Sequence, residues 1–170
     1  MKALIAVSSK HGSTLELARA IAAVLDERGI STTLLPSGKV TSLAGFDAVV
    51  LGSGIYANKM LPSMMALGYR WGDQLSGRPV YLFASGPLDA SSLAEAPLPH
   101  DARRLARQTG ARKTRLFGGR LRDAGLSTRE RALMRMSGVA PGDYRDWDAV
   151  ASWAAEVADD VLGVGLNSVG

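Results

Sequence analysis

The chain contains no cysteine, which excludes disulfides, thiolate metal sites, iron–sulfur clusters and a cysteine nucleophile, so any redox chemistry has to come from a bound cofactor. No apolar run approaches the ~20 residues of a membrane span, because Asp, Arg or Gly interrupts each candidate. The opening apolar run, residues 3–7, is too short for the core of a secretory signal and reads as a strand. A cytoplasmic protein is therefore expected. Both Gly-rich nucleotide fingerprints, G-x-x-x-x-G-K-[ST] and G-x-G-x-x-G, are absent. Lysine is scarce: of 20 basic residues only Lys2, Lys10, Lys39, Lys59 and Lys113 are lysine.

What is present fits one globular domain. The chain has 170 residues, 46% hydrophobic and 21% charged, with a net charge of +4, enough to bury a sizeable core without a covalent staple. Arginines crowd positions 103–135, whereas the last helical segment carries Asp148, Glu156, Asp159 and Asp160. That asymmetry suggests one basic face, which is either solvated charge or a surface for an anionic substrate or an anionic membrane. Nucleic acid is not expected as a partner.

Strand-like and helix-like segments alternate along the chain. Residues 2–7, 30–35, 47–52, 78–84 and 114–118 read as strands. The run 47–52 is apolar on both faces, as a central parallel strand should be. Helical spacing of apolar residues marks 13–28, 61–75, 100–109 and the segment that begins at Trp147. Gly29 and Gly110 are placed to end two of these helices, Asp146 to cap the last, and Gly68 and Gly72 weaken the helix over 61–75. The stretch 120–145 breaks the alternation and holds a helical core over 128–136. Such alternation argues for an open parallel sheet with helices on both faces. Residues 1–162 are expected to form the domain and 163–170 a loose tail.

In a sheet of this kind ligands sit beyond the carboxyl ends of the strands, where strand order reverses. The rule nominates loops 8–14, 53–59 and 85–92. The first, Ser8-Ser9-Lys10-His11-Gly12-Ser13-Thr14, lies between a strand and a helix start, where free backbone N–H groups, the helix dipole and hydroxyls favour a phosphate. Taken alone it equally suits a capping turn with no ligand. In the 120–145 stretch Arg129, Arg131 and Arg135 alternate with Leu133, Met134 and Met136. This basic helix either packs on the sheet, lies at a membrane interface or binds acidic groups of a substrate.

Residues 8–14 resemble the phosphate loop of flavodoxins, and Gly45-Phe46-Asp47-Ala48-Val49-Val50-Leu51-Gly52-Ser53-Gly54-Ile55-Tyr56 resembles their third strand and flavin loop. Within that superfamily Met134-Arg135-Met136-Ser137-Gly138, followed by Asp146-Trp147, is similar to the C-terminal part of the menaquinone-dependent protoporphyrinogen oxidases. The likeness covers nearly the whole chain; the phosphate motif is common to flavodoxins, and only the C-terminal part separates the subfamily.

The resemblance implies a flavodoxin-like, doubly wound α/β fold, with five parallel strands in the order 2-1-3-4-5, and flavin mononucleotide (FMN) or a deazaflavin as cofactor. It implies that Ser8, Ser9, Lys10, His11, Gly12, Ser13 and Thr14 surround the phosphate. Ser53, Gly54, Ile55, Tyr56, Ala57 and Asn58 would line the isoalloxazine, with Tyr56 stacked on it, and Gly54 would let the peptide beside it reorient. Ser85, Gly86, Pro87, Leu88 and Asp89 would serve the pyrimidine edge, although Asp89 also reads as a plain turn residue. The third loop lacks the second aromatic of electron carriers, which leaves the outer flavin face open to an organic substrate.

The function implied is an oxidoreductase that takes electrons from a small organic donor and passes them through flavin to a quinone. It would have no catalytic side chain and no metal, and Arg129, Arg131 and Arg135 would form a substrate or peripheral membrane surface. The alternatives are a flavodoxin-type electron carrier, or a module of this fold that binds another phosphorylated ligand.

Overall fold

A computed structural model describes residues 1–86, 93, 96–122, 126–138 and 140–167. The order of elements is β1 (Lys2–Ser8), α1 (Ser13–Glu27), β2 (Ser31–Pro36), a single 3-10 turn (Ser37–Lys39), β3 (Ala48–Tyr56), β4 (Lys59–Met60) and α2 (Pro62–Ser76). It continues with β5 (Val80–Gly86), α3 (His100–Thr109), β6 (Lys113–Gly118), β7 (Arg120–Leu121), α4 (Thr128–Ser137), β8 (Gly142–Asp143) and α5 (Trp147–Asn167).

The main sheet runs β2-β1-β3-β5-β6, all parallel. This is the flavodoxin-like order expected from the sequence, once the two-residue β4, which pairs antiparallel with the end of β3, is set aside. Successive strand residues face opposite sides, and the two cores follow that alternation. Ala3, Ile5, Val7, Val50, Tyr81 and Phe83 pack under Leu17, Ile21 and Leu25 of α1 and Val150, Trp153 and Val157 of α5. Leu4, Ala6, Val49, Leu51 and Leu82 pack under Met64, Leu67 and Leu75 of α2 and Ala102 and Leu105 of α3.

Gly68 and Gly72, which read as weak points of a helix, are buried contact points instead. A side chain at Gly68 would overlap Leu105, and one at Gly72 would meet the Gln108 amide at 2.7 Å, which itself donates to the Gly68 carbonyl at 3.0 Å. The two helices approach this closely because α2 is smooth there. The acidic last helix is also less segregated than its sequence suggests. Asp159 pairs with Arg28, Asp160 with Arg112 and Glu156 with Lys113, while the Tyr81 hydroxyl donates to Asp160 at 2.5 Å. α5 runs on to Asn167, so 163–167, expected as loose tail, continues the helix. Asp146 caps it as expected, its Oδ1 accepting the Ala149 N–H at 2.9 Å. Among the described residues no helix is long and apolar enough to cross a membrane.

Gly52 sits in the middle of β3 directly beneath the Phe83 ring, and a Cβ there would overlap it. Phe83 is held by Phe117 and Trp153, each with its centroid 6.0 Å away, so the ring has nowhere to go. Gly52→Ala is expected to lose about 1–3 kcal/mol through overpacking, measured as a lower urea midpoint. An unchanged midpoint would show that the aromatic cluster yields.

Candidate functional site

The strand order reverses between β1 and β3, and in sheets of this kind ligands bind beside the loops that leave the two strands at such a point. The chain leaves β1 through residues 9–12 and enters α1 at Gly12, whose φ of +85° is a conformation open to glycine and costly for other L-residues. Gly12 brings no side-chain hydrogen bond to the first turn of α1, which leaves the amide ends of that helix to a ligand.

The hydroxyls around this loop fall into two groups. Ser9 Oγ accepts the Gly12 N–H at 3.1 Å, and Ser13 Oγ accepts the Arg120 N–H at 2.9 Å. Each is thereby oriented while its own proton remains available to donate. The others are engaged within the fold. Ser8 bonds Ser37 at 2.5 Å and Ser63 at 2.8 Å. Thr14 and Ser85, both buried, share one hydrogen bond of 2.9 Å and tie α1 to the end of β5. Ser53 is fully buried; it donates to the Gly54 carbonyl and accepts the Leu61 N–H at 3.1 Å, bracing the chain where β3 leads into the hairpin.

The second loop is tighter than its sequence suggests. β3 extends through Tyr56, and Ala57 and Asn58, with φ of 48° and 60°, make the two-residue turn into β4 with both central residues left-handed, as in a type I′ hairpin. Ala57 carries steric strain there that Asn58 tolerates better. The hairpin folds Tyr56 back over the first loop. Its ring meets His11 edge-on at 5.9 Å and has Lys10 Nζ 5.9 Å from its centroid. Gly54 makes room, since a Cβ there would lie 2.9 Å from the Tyr56 ring and 3.1 Å from Thr14 Oγ1. Burial pushes the Tyr56 phenol above its ordinary pKa.

The third loop begins at Gly86, whose carbonyl accepts the Gly119 N–H at 2.5 Å; Pro87, Leu88 and Asp89 lie outside the described residues. The segment after β6 folds back onto the first loop. Glu130 forms a capping box with Ser127 at the start of α4. Its Oε1 accepts from Lys10 Nζ at 2.6 Å and lies 3.0 Å from His11 Nε2, while Oε2 accepts the Ser127 N–H at 2.8 Å. Beside it Arg145, only 4% exposed, bridges Glu16 and Asp143, and Arg120 also reaches Glu16. The Lys10 ammonium above all holds Glu130 well below the usual carboxylate range, and Arg145 lowers both Glu16 and Asp143.

The structure therefore gathers Ser9, Lys10, His11, Gly12, Ser13, Tyr56 and the Thr14–Ser85 pair at one edge. Arg129, Arg131 and Arg135 stand exposed on α4, and Met136 is 84% exposed, so it does not pack on the sheet. Glu16, Arg120, Glu130, Asp143 and Arg145 were not anticipated. Ser127-Thr128-Arg129-Glu130 carries the S-x-x-E signature of a capping box and was legible in principle; the pairing of Arg120 and Arg145 with Glu16 spans more than a hundred residues and left no local signal.

A family model described as flavodoxin domain matches residues 4–146. No curated protein matches the sequence. Among solved structures the chain is similar to rubredoxin oxygen:oxidoreductase from Desulfovibrio gigas, at 14% identity with a TM-score of 0.64, over 95% of this chain and 36% of that one. It is also similar to oxidised flavodoxin 1 from Bacillus cereus, at 18% identity and TM-score 0.61, over 94% and 98% of the two chains. An archaeal flavodoxin matches at 15% identity and TM-score 0.59, over 95% and 99%. At these identities the likeness is one of fold.

The carboxylates paired against or within the 120–145 segment have folded pKa values below their ordinary 4.5 for Glu16 and Glu130 and 3.8 for Asp143. Their stabilisation is complete above the ordinary values and lost as pH falls through the lowered ones. Acidification from about pH 5 to about pH 3 is thus expected to lower the amide protection factors in 120–145 before those of the sheet, and Arg145→Met to bring part of that loss to neutral pH. Uniform exchange across the chain in both experiments would contradict this.

Proposed function

Since the chain belongs to the flavodoxin-domain family, whose cofactor is FMN, we propose that it is an FMN-dependent redox protein of the protoporphyrinogen oxidase type, passing electrons from an organic donor through the flavin to a quinone. The observation that carries the cofactor reading is the cradle at the head of α1. First-turn amides without a side-chain cap and the oriented hydroxyls of Ser9 and Ser13 are a donor set suited to a phosphate monoester.

Bound flavin supplies reversible electron transfer. The chain's own residues bind and orient. Ser9, Ser13 and the loop amides hold the phosphate. Tyr56, half-buried against His11, walls the cleft and keeps water from its inner side. The Thr14–Ser85 bond fixes the spacing between the first and third loops.

Support for an oxidase rather than a protein-to-protein carrier comes from α4. Its exposed Arg129, Arg131 and Arg135 stand on a helix bonded to the phosphate loop through Glu130, an arrangement suited to a donor with acidic groups or to an anionic membrane surface that holds the quinone. The Met134-Arg135-Met136-Ser137-Gly138 and Asp146-Trp147 resemblance points the same way.

Purified protein titrated with FMN is expected to quench flavin fluorescence and shift its absorbance bands; a protein that ignores FMN yet takes a deazaflavin would redirect the cofactor assignment. Ser13→Ala should weaken FMN by about 1.5–3 kcal/mol, the scale of a hydrogen bond to a charged group, and leave riboflavin affinity unchanged. Equal loss for both ligands would place Ser13 away from the phosphate. Anaerobic mixing of the FMN-loaded protein with protoporphyrinogen and a menaquinone analogue is expected to form porphyrin; formation no faster than without protein defeats the oxidase reading.

A further inference from the structure

A carboxylate stands where a phosphate-binding loop would be expected to keep its cations free. Glu130 Oε1 receives Lys10 Nζ at 2.6 Å and lies 3.0 Å from His11 Nε2, and these are the basic side chains of the loop that precedes α1. The carboxylate is not a loose surface group. Its other oxygen is bound to the Ser127 N–H at 2.8 Å, Ser127 Oγ accepts the Glu130 N–H at 3.3 Å, and the side chain is 17% exposed. The Tyr56 ring flanks Lys10 and His11 on the other side, so both side chains are confined between a fixed carboxylate and an aromatic ring.

We infer that Glu130 is a specificity-determining residue of the phosphate site, an internal anion that competes with an incoming phosphate for Lys10 and His11. The inference rests on the reading of loop 8–14 as a phosphate cradle. A phosphate monoester carries about −1.5 to −2 charges at neutral pH, and a fixed carboxylate beside the same basic side chains opposes its entry. With Lys10 and His11 engaged, the loop offers mainly neutral donors: amides and the hydroxyls of Ser9 and Ser13. Such a site holds a bare phosphate weakly. A ligand that adds ring contacts against Tyr56 and the β3–β4 hairpin overcomes the opposition, so the carboxylate biases the loop against free phosphate and against phosphorylated compounds without a fitting ring.

The coupling is also reciprocal. Whatever the phosphate takes from Glu130 loosens the hold of α4 on the loop, so ligand entry at loop 8–14 is reported to the arginine-bearing helix.

Glu130→Gln tests this without dismantling the helix, because Gln also serves the third position of a capping box. FMN and riboflavin are titrated by fluorescence, and inorganic phosphate by calorimetry, on the full-length wild-type and variant chains. The variant is expected to bind FMN and inorganic phosphate about fivefold or more tightly, with riboflavin affinity unchanged. Lys10→Met should weaken FMN and phosphate, and in the double variant the gain from Glu130→Gln should shrink, since one of the contested cations is gone. Unchanged or weaker FMN and phosphate binding by Glu130→Gln overturns the competition while leaving the FMN assignment standing on the wild-type titration. An equal gain for riboflavin and FMN also overturns it, because the effect would then lie with the ring. Absence of FMN and phosphate binding in every variant removes both this inference and the cofactor reading beneath it.

Discussion

The chemistry at the carboxyl edge of the sheet depends on how the chain turns from β1 into α1. β1 is buried on both faces, so its end cannot be re-aimed; the chain changes direction within residues 9–12, and Gly12 accepts the left-handed conformation that lets α1 start at once. Because Gly12 has no side chain, the positive end of α1 starts without a side-chain cap. Gly54 and Gly52 complement that turn, the one by admitting Tyr56 and Thr14 close to β3 and the other by admitting Phe83 beneath it.

Around that edge the fold divides its hydroxyls by duty. Ser8, Ser53 and the Thr14–Ser85 pair stitch neighbouring elements together in buried positions, where an unsatisfied hydroxyl would be costly. Ser9 and Ser13 accept backbone N–H groups and keep a proton for use outside the fold. The same residue type in one short stretch thus serves two ends, and the partner of each oxygen separates them.

The 120–145 segment is attached mainly by charge. β7 and β8 form a two-stranded ribbon of two residues each, too small to be stable by itself; its hold on the body includes Arg120 and Arg145 on Glu16 and Glu130 on Lys10 and His11, while Arg145 on Asp143 braces the segment internally. The Arg145 side chain is 4% exposed and stacks 4.6 Å from the Trp147 ring, which fixes the guanidinium toward Glu16 and Asp143, although both carboxylates keep contact with water. A segment held in this way can answer to a ligand's charge, which an apolar dock could not do.

Period and punctuation in the sequence alone determined the five parallel strands and the helices on both faces, because each follows from contacts within a few residues or from the handedness of strand–helix–strand connections. Only the tertiary structure decided which serines face the cleft, why Gly68 and Gly72 suit rather than break α2, that Met136 is exposed, and that Glu16 and Glu130 hold the basic segment to the first loop. Those outcomes belong to pairs far apart in sequence, such as Arg145 with Glu16 or Thr14 with Ser85. A hydroxyl or carboxylate carries no local mark of its partner; distance and burial, which the folded chain alone sets, choose it.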